Sequence, residues 1–214
     1  MTSQEVRRPL SRMRAAVVRT VQASAQVPQF NVDVEIDTGA LAALRASGVP
    51  LSYSDALVAA VARGLRRHPV VNARFDGDAI VENADVNVAF VVGLDDGLVT
   101  PAILGADEKS LPELAAERIR LTEAAKNGTL RPEELFSGTF TVSNLGPFGV
   151  SRFQAMVLPP QAAILAVGSV RADSRLTLTL SCDHRVVDGV PAARFLADVG
   201  ELLERPEWLT SSPA

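Results

Sequence analysis

Near the N-terminus the hydrophobic period changes once, and the change separates the first two elements. Leu10, Met13, Val17 and Val21 recur at three and four residues, the apolar stripe of an amphipathic helix over about residues 9–25 that is expected to pack against a sheet. Phe30, Val32, Val34 and Ile36 then alternate with Asn31, Asp33, Glu35 and Asp37, the period of a half-buried strand. Thr38 can cap a short helix. Ser52 or Ser54 opens a longer one through Ala56, Leu57, Ala60, Val61 and Leu65, closed by Pro69. Residues 70–104 read as strands divided by Gly77-Asp78 and Asp95-Asp96-Gly97, where glycine supplies the positive φ of the turns. Ser110-Leu111-Pro112-Glu113 is a capping box for a helix running to about Ala125 and ended by Asn127-Gly128. Thr139–Ser143, Ala162–Val170 and Leu176–Ser181 are strand candidates, and a final helix spans about Pro191–Leu203 with Pro206 beyond it. No linker, composition shift or internal repeat divides this series, so residues 1–214 are expected to form one α+β domain, a mixed sheet with helices on one side.

Composition narrows the field further. The chain has 214 residues, 47% hydrophobic and 21% charged, enough for a real core and without the signature of disorder. The net charge is −4 and the 21 basic residues are dispersed, so no nucleic-acid footprint is expected. The longest apolar stretch, Ala162–Gly168, falls far short of the roughly 20 residues of a membrane span. The N-terminal run MTSQEVRRPLSRMRAAVVRT breaks every apolar stretch with arginine, unlike a signal peptide. Cys182 is the single cysteine, so no intramolecular disulfide forms and a reducing, cytoplasmic setting is expected.

The chemical inventory is short. Two histidines and one cysteine, with no HExxH and no CxxC pair, predict no metal site. GxGxxG, GxxxxGK[ST] and GxSxG are all absent, which removes the common nucleotide and nucleophile-elbow readings. His68, in RRHPVVN, stands where a helix ends and is read as structural. His184 remains, in SCDHRVVDG between a strand and a helix, with Asp188 four residues later and Gly189 permitting the turn. From the residues alone, a histidine among charged neighbours at a strand end is as readily structural as catalytic.

Seven segments taken together change that balance. PLSRMRAAVVRT, PQFNVDVEID, PVVNARF, GLVTPAI, GTFTVSNLGPFG, LPPQAAILAVG and CDHRVVDG occur in this order over nearly the whole chain. In this the sequence resembles the catalytic domain of the dihydrolipoamide acyltransferases of 2-oxo acid dehydrogenase complexes. The resemblance implies a chloramphenicol acetyltransferase-like two-layer sandwich and a reaction with acetyl-CoA or another acyl-CoA as co-substrate and no metal. By the same resemblance His184 is the general base that takes the acceptor's proton. Ser143 donates a hydrogen bond to the developing oxyanion, transfer is direct without an acyl-enzyme, and Asp188 pairs with a first-helix arginine, Arg12 or Arg14 with Arg12 preferred. Asn144 and Gly146 shape the turn beside Ser143, Arg185 is structural, and Cys182 packs as an apolar residue. The family assembly implied is a homotrimer with active sites between subunits, His184 of one chain facing Ser143 of the next.

The sequence also departs from the family pattern. It starts at Met1 immediately before the catalytic domain, read here as a natural start, so no lipoyl group and no peripheral-subunit-binding domain are expected on this chain. The connection from Val170 to Leu176 is short and position 29 is glutamine, two differences expected at the acceptor end of the site. The last residues, Thr210-Ser211-Ser212-Pro213-Ala214, are polar, which favours a discrete trimer over a larger shell. These departures put first an acyltransferase acting on a hydroxyl or thiol of a small-molecule or carrier-bound biosynthetic intermediate, for instance a tetronate-type polyketide. A dihydrolipoamide acyltransferase core comes second. A non-catalytic trimeric scaffold is the third reading, and the intact His184, Asp188 and Ser143 speak against it.

Overall fold

A computed structural model describes residues 6–210. In chain order the elements are α1 (Arg12–Ser24), β1 (Gln29–Asp37), α2 (Gly39–Ala46), α3 (Tyr53–Arg67), β2 (Ala73–Asp76), β3 (Ala79–Glu82), β4 (Val88–Phe90), β5 (Val92–Leu94), β6 (Gly97–Val99), β7 (Ala102–Ile103), α4 (Leu111–Asn127), α5 (Pro132–Phe136), β8 (Phe140–Asn144), β9 (Ala163–Val167), β10 (Arg175–Asp183) and α6 (Gly189–Glu204). Six strands form one sheet in the order β1-β10-β9-β8-β4-β7; β9, β8 and β4 run parallel and the remaining pairs antiparallel. The hairpins β2–β3 and β5–β6 stand apart from it.

Alternation along the strands decides which face is covered by helices. Phe140 and Val142 of β8, Leu165 and Val167 of β9, and Leu178 and Leu180 of β10 enter one apolar core with Leu57 and Leu65 of α3 and Phe195 and Val199 of α6. Their odd-numbered partners on β8 and β10, Thr141, Ser143, Thr177, Thr179 and Ser181, must therefore point to the opposite face. The stretch 150–158 runs along that second face, where Val157 N–H donates to Gln29 Oε1 at 2.9 Å and Arg152 pairs with Asp33 at 2.9 Å.

The expected elements are present, with four local differences. The α1 helix packs against a sheet as expected, the two-stranded β5–β6 sheet and not the six-stranded one. A Cβ at Gly97 would press on Met13 at 3.0 Å, with Val17 in ordinary contact at 3.7 Å, and Ser24 is the one buried residue of the helix among those described. The Thr38 hydroxyl does not cap α2 but donates to Ser174 O at 2.8 Å, tying the helix start to the β9–β10 turn. β9 stops at Val167; just beyond it the Ser169 N–H turns to Val150 O at 2.8 Å, and the tight turn to β10 closes at Arg171–Arg175. The short α5 helix was not foreseen; its first turn holds the buried Glu134. The final helix starts at Gly189 with Asp188 as N-cap, two residues before the expected start. The Ser110–Glu113 box forms as read, with Glu113 accepting the Ser110 N–H at 2.8 Å.

Candidate active site

His184 sits on a turn that its neighbours make rigid. Asp183, the last residue of β10, is buried, and its carboxylate accepts three bonds from Arg185: backbone N–H at 3.0 Å, Nε at 2.9 Å and a terminal amino group at 2.7 Å. The Arg185 guanidinium also lies over the Phe75 ring, 4.4 Å from its centroid, a favourable cation–π placement. Arg185 is thus structural, as the sequence indicated. Asp183 O accepts the N–H groups of Val186 and Val187, both at 3.0 Å, and His184 N–H donates to Pro28 O at 2.8 Å. With backbone and neighbours fixed, the imidazole projects outward with 52% of its side chain exposed. Asp188 Oδ1 lies 3.6 Å from His184 Nδ1, a contact beyond hydrogen-bond reach.

Ser143 occupies the second-last position of β8, half-buried, on the sheet face away from the helices. Beyond it the chain turns sharply: Asn144 Oδ1 accepts the Gly146 N–H at 2.9 Å and its Nδ2 donates to Ser54 Oγ at 3.4 Å. Asn144 and Gly146 therefore shape this turn as expected. A Cβ at Gly146 would stand 2.6 Å from Gly168 O, and one at Gly168 only 2.1 Å from Ser151 O, so the approach of these strand ends admits no side chain at either position. Next to this turn a cleft of about 320 Å³ opens between the sheet end and the start of α3, lined by Arg45, Ser52, Tyr53, Ser54, Asn144 and Gly168 among others. No local pattern marks this cleft, because Arg45, the α3 start and the β8 end converge only in three dimensions.

Within one chain Ser143 and His184 cannot meet. Ser143 is level with Ala166 and, through it, with Thr179, so His184 lies five residues farther along β10 and two strands away. At about 3.3 Å per residue and 4.8 Å per strand, this is on the order of 15 Å or more. Nor does Asp188 pair with Arg12 or Arg14. The side chain beside it is His184, its own side chain is 83% exposed, and both arginines are exposed on α1, which is held against the β5–β6 hairpin. That expectation is corrected for the single chain.

Three further residues resolve plainly. Cys182 is fully buried, and burial, with the Asp183 charge beside it, pushes its thiol up to about 12, so it is no nucleophile. The Gln29 amide is used up locally, its Nε2 donating to Ser24 O at 2.9 Å and its Oε1 accepting from Val157. It ties the end of α1 to the 150–158 stretch. His68 ends α3, its Nε2 2.9 Å from Asp198 and its ring edge-on to Phe195, the structural role expected of it.

With the fold and these side chains placed, comparison with known proteins is direct. Residues 2–210 match the 2-oxoacid dehydrogenases acyltransferase (catalytic domain) family. The chain belongs to that family. Among curated relatives, the dihydrolipoyllysine-residue acetyltransferase component of the Zymomonas mobilis pyruvate dehydrogenase complex is 36% identical over 92% of this chain and 49% of its own length. A chloroplastic component of the Arabidopsis thaliana complex is 37% identical over 94% and 47%. This chain thus spans about half the length of these relatives. Among solved structures, a probable dihydrolipoamide acetyltransferase from Listeria monocytogenes superposes with a TM-score of 0.91 at 30% identity, covering both chains completely. The Azotobacter vinelandii dihydrolipoamide acetyltransferase gives 0.89 at 31% identity, over 97% of this chain and 95% of that one. Chloramphenicol acetyltransferase, at a TM-score of 0.57 and 15% identity over 86% and 94% of the two chains, shares the fold. The family's catalytic domain is therefore the two-layer α+β arrangement expected from the sequence.

In the Azotobacter protein a serine, a histidine and, four residues after it, an asparagine were investigated for their role in the catalytic mechanism. The serine and histidine lie farther apart along that chain than Ser143 and His184 do here. The short β9–β10 turn, closed by the Arg171 N–H to Arg175 O bond of 2.8 Å, lies between them. The relatives put the dihydrolipoamide reading ahead of the biosynthetic-intermediate reading placed first from sequence, and nothing in them points to a tetronate.

Proposed function

We propose that this chain is a CoA-dependent acyltransferase that moves an acetyl group between CoA and the thiol of dihydrolipoamide. The observation that carries the reading is His184, held outward on a rigid turn with a half-exposed imidazole, inside a chain that matches the catalytic-domain family over residues 2–210. His184 Nε2 takes the proton of the attacking thiol and returns it to the departing one, work suited to an imidazole, whose ring nitrogen can accept a proton and give it back. The Ser143 hydroxyl donates to the carbonyl oxygen as negative charge builds there, worth about 3 kcal/mol of barrier in a preorganised, dry site.

The cleft beside Asn144 suits the CoA side of the reaction. Arg45 offers a guanidinium to a phosphate, the hydroxyls of Ser52, Tyr53 and Ser54 offer further polar contacts, and the glycines at 146 and 168 leave a smooth wall. Because Ser143 and His184 of one chain lie far apart, the site is composed across a subunit boundary in a homotrimer. The α1 helix supports this assembly: Leu10 before it is 60% exposed and Val21 on it 44%, apolar surface that a neighbouring subunit would cover.

The deciding experiment is steady-state turnover of acetyl-CoA with free dihydrolipoamide and, separately, with simple alcohols and other thiols. Fast turnover with dihydrolipoamide supports the reading. Turnover confined to hydroxyl acceptors would restore the biosynthetic alternative, and none with any acceptor would point to a scaffold.

A further inference from the structure

We infer that Phe30 is a positioning residue for His184, its ring holding the imidazole in the orientation from which proton transfer proceeds; the inference rests on the acyltransferase reading above. The two rings lie with centroids 4.5 Å apart at an interplanar angle of 47°, at the close end of favourable aromatic pairing. Strand register produces this contact. Phe30 stands directly opposite Cys182 in the β1–β10 ladder, so the residue two beyond Cys182 is its diagonal neighbour, within reach of an aromatic side chain. The bond from His184 N–H to Pro28 O at 2.8 Å extends the pairing past the last ladder pair and keeps the two backbones in step.

Among the described residues of its own chain, the remaining surroundings of the imidazole leave the orienting work to this ring. Asp188 is 83% exposed and at 3.6 Å makes no hydrogen bond to Nδ1, so it biases the ring electrostatically but does not fix its plane. Asp183 and Arg185 hold the turn's backbone and are engaged with each other. A half-exposed imidazole without a bonded partner would sample several rotamers; a phenyl ring tilted against it at 4.5 Å removes those that would swing through it. Phe30 is itself anchored, packed with Val32 and Val34 against the apolar core. Since misplacement of a reacting group by about 1 Å can cost roughly a hundredfold in rate, loss of this wall is expected to appear in kcat.

The test uses the whole chain in its native assembly and has two readouts. With two histidines in the chain, the imidazole C–H signals of protein labelled with ¹³C-histidine are assigned by comparison with His184→Ala. The His184 signal should carry a ring-current shift from Phe30, and Phe30→Leu or Phe30→Met should return it towards its free position while His68 stays in place as a control on folding. In the same variants kcat should fall by at least about tenfold with KM values within about twofold, and Phe30→Tyr should recover both the shift and the rate. An unmoved His184 signal, or kcat at the unmutated level in Phe30→Leu, would overturn the inference. An unmutated chain that transfers no acetyl group would count against the proposed function, whereas the signal, which needs no substrate, still decides whether Phe30 holds the ring.

Discussion

Replacing His184 by alanine removes a side chain that is half-exposed and contributes little to the core, so chemistry and stability separate cleanly at this position. kcat is expected to fall at least about a hundredfold with the melting temperature within a degree or two; near-normal turnover would refute the general-base role. Asp188→Asn should also leave melting unchanged, because the carboxylate is 83% exposed and the arginine pairing implied by the family resemblance is not formed within the chain. A clear drop in melting temperature would indicate that a neighbouring subunit supplies the missing partner. At Ser174 the backbone is left-handed, with φ of 62°, in the tight turn joining β9 to β10. A side chain there costs about 1 kcal/mol, so Ser174→Gly is expected to stabilise the protein by about 0.5–1 kcal/mol in denaturant titration. No change would mean that the hydroxyl offsets the strain.

At the scale of elements, the join between α4 and α5 carries a pH dependence. Glu134 is 1% exposed. Burial raises its carboxyl, but the Arg131 N–H at 2.8 Å and the guanidinium groups of Arg120 and Arg131 outweigh burial and bring it down to about 2. An ordinary glutamate titrates at 4.5, so as pH falls the unfolded chain binds the proton first. The stabilisation is therefore complete above about pH 4.5 and is lost as pH falls through about 2. A shift of this size corresponds to about 3 kcal/mol, and because both arginines are about half exposed about 2 kcal/mol is expected in practice. Glu134→Gln should be destabilised by that amount at pH 7, with the gap to the unmutated chain closing between pH 4 and pH 2 in thermal melts. A gap independent of pH would show that the loss comes from packing.

For the whole molecule the central quantity is the separation of Ser143 from His184. If one site uses His184 from one subunit and Ser143 from the next, the inactive variants Ser143→Ala and His184→Ala should complement each other when unfolded together and refolded. Random assortment in a closed ring leaves about a quarter of the interfaces with both groups intact, and activity should return to about that fraction. A mixture as inactive as its components would mean that each site is built within one chain. Light scattering coupled to size exclusion should find a trimer, or a multiple of it, of chains of 22.7 kDa. An active monomer would remove the shared site. The polar terminal residues that favour the smallest assembly, from Ser211 onwards, lie outside the described residues.

The sequence alone determined what depends on local pattern and on motif. Alternation in Phe30–Ile36 and the three-and-four spacing in α3 set period and face, Gly128 and Pro69 ended helices through backbone geometry alone, and the order of seven motifs placed His184, Ser143 and Asp188 within a family. The assignment of His68 to a structural role was also legible, since a histidine before a proline at a helix end leaves little choice, while the packing role of Cys182 came with the family resemblance. The tertiary structure decided what depends on residues distant in the chain. Which surface α1 covers followed from the β5–β6 hairpin, because an amphipathic stripe specifies that an apolar face is buried but not against what. The cleft beside Asn144, the Phe30–His184 contact and the absence of the Arg12–Asp188 pair within the chain depend on strand register and helix placement, which no local pattern encodes. The separation of Ser143 from His184 is of the same kind: both residues could be named from motifs, but their distance is fixed by β8, β9 and β10 lying side by side in one sheet.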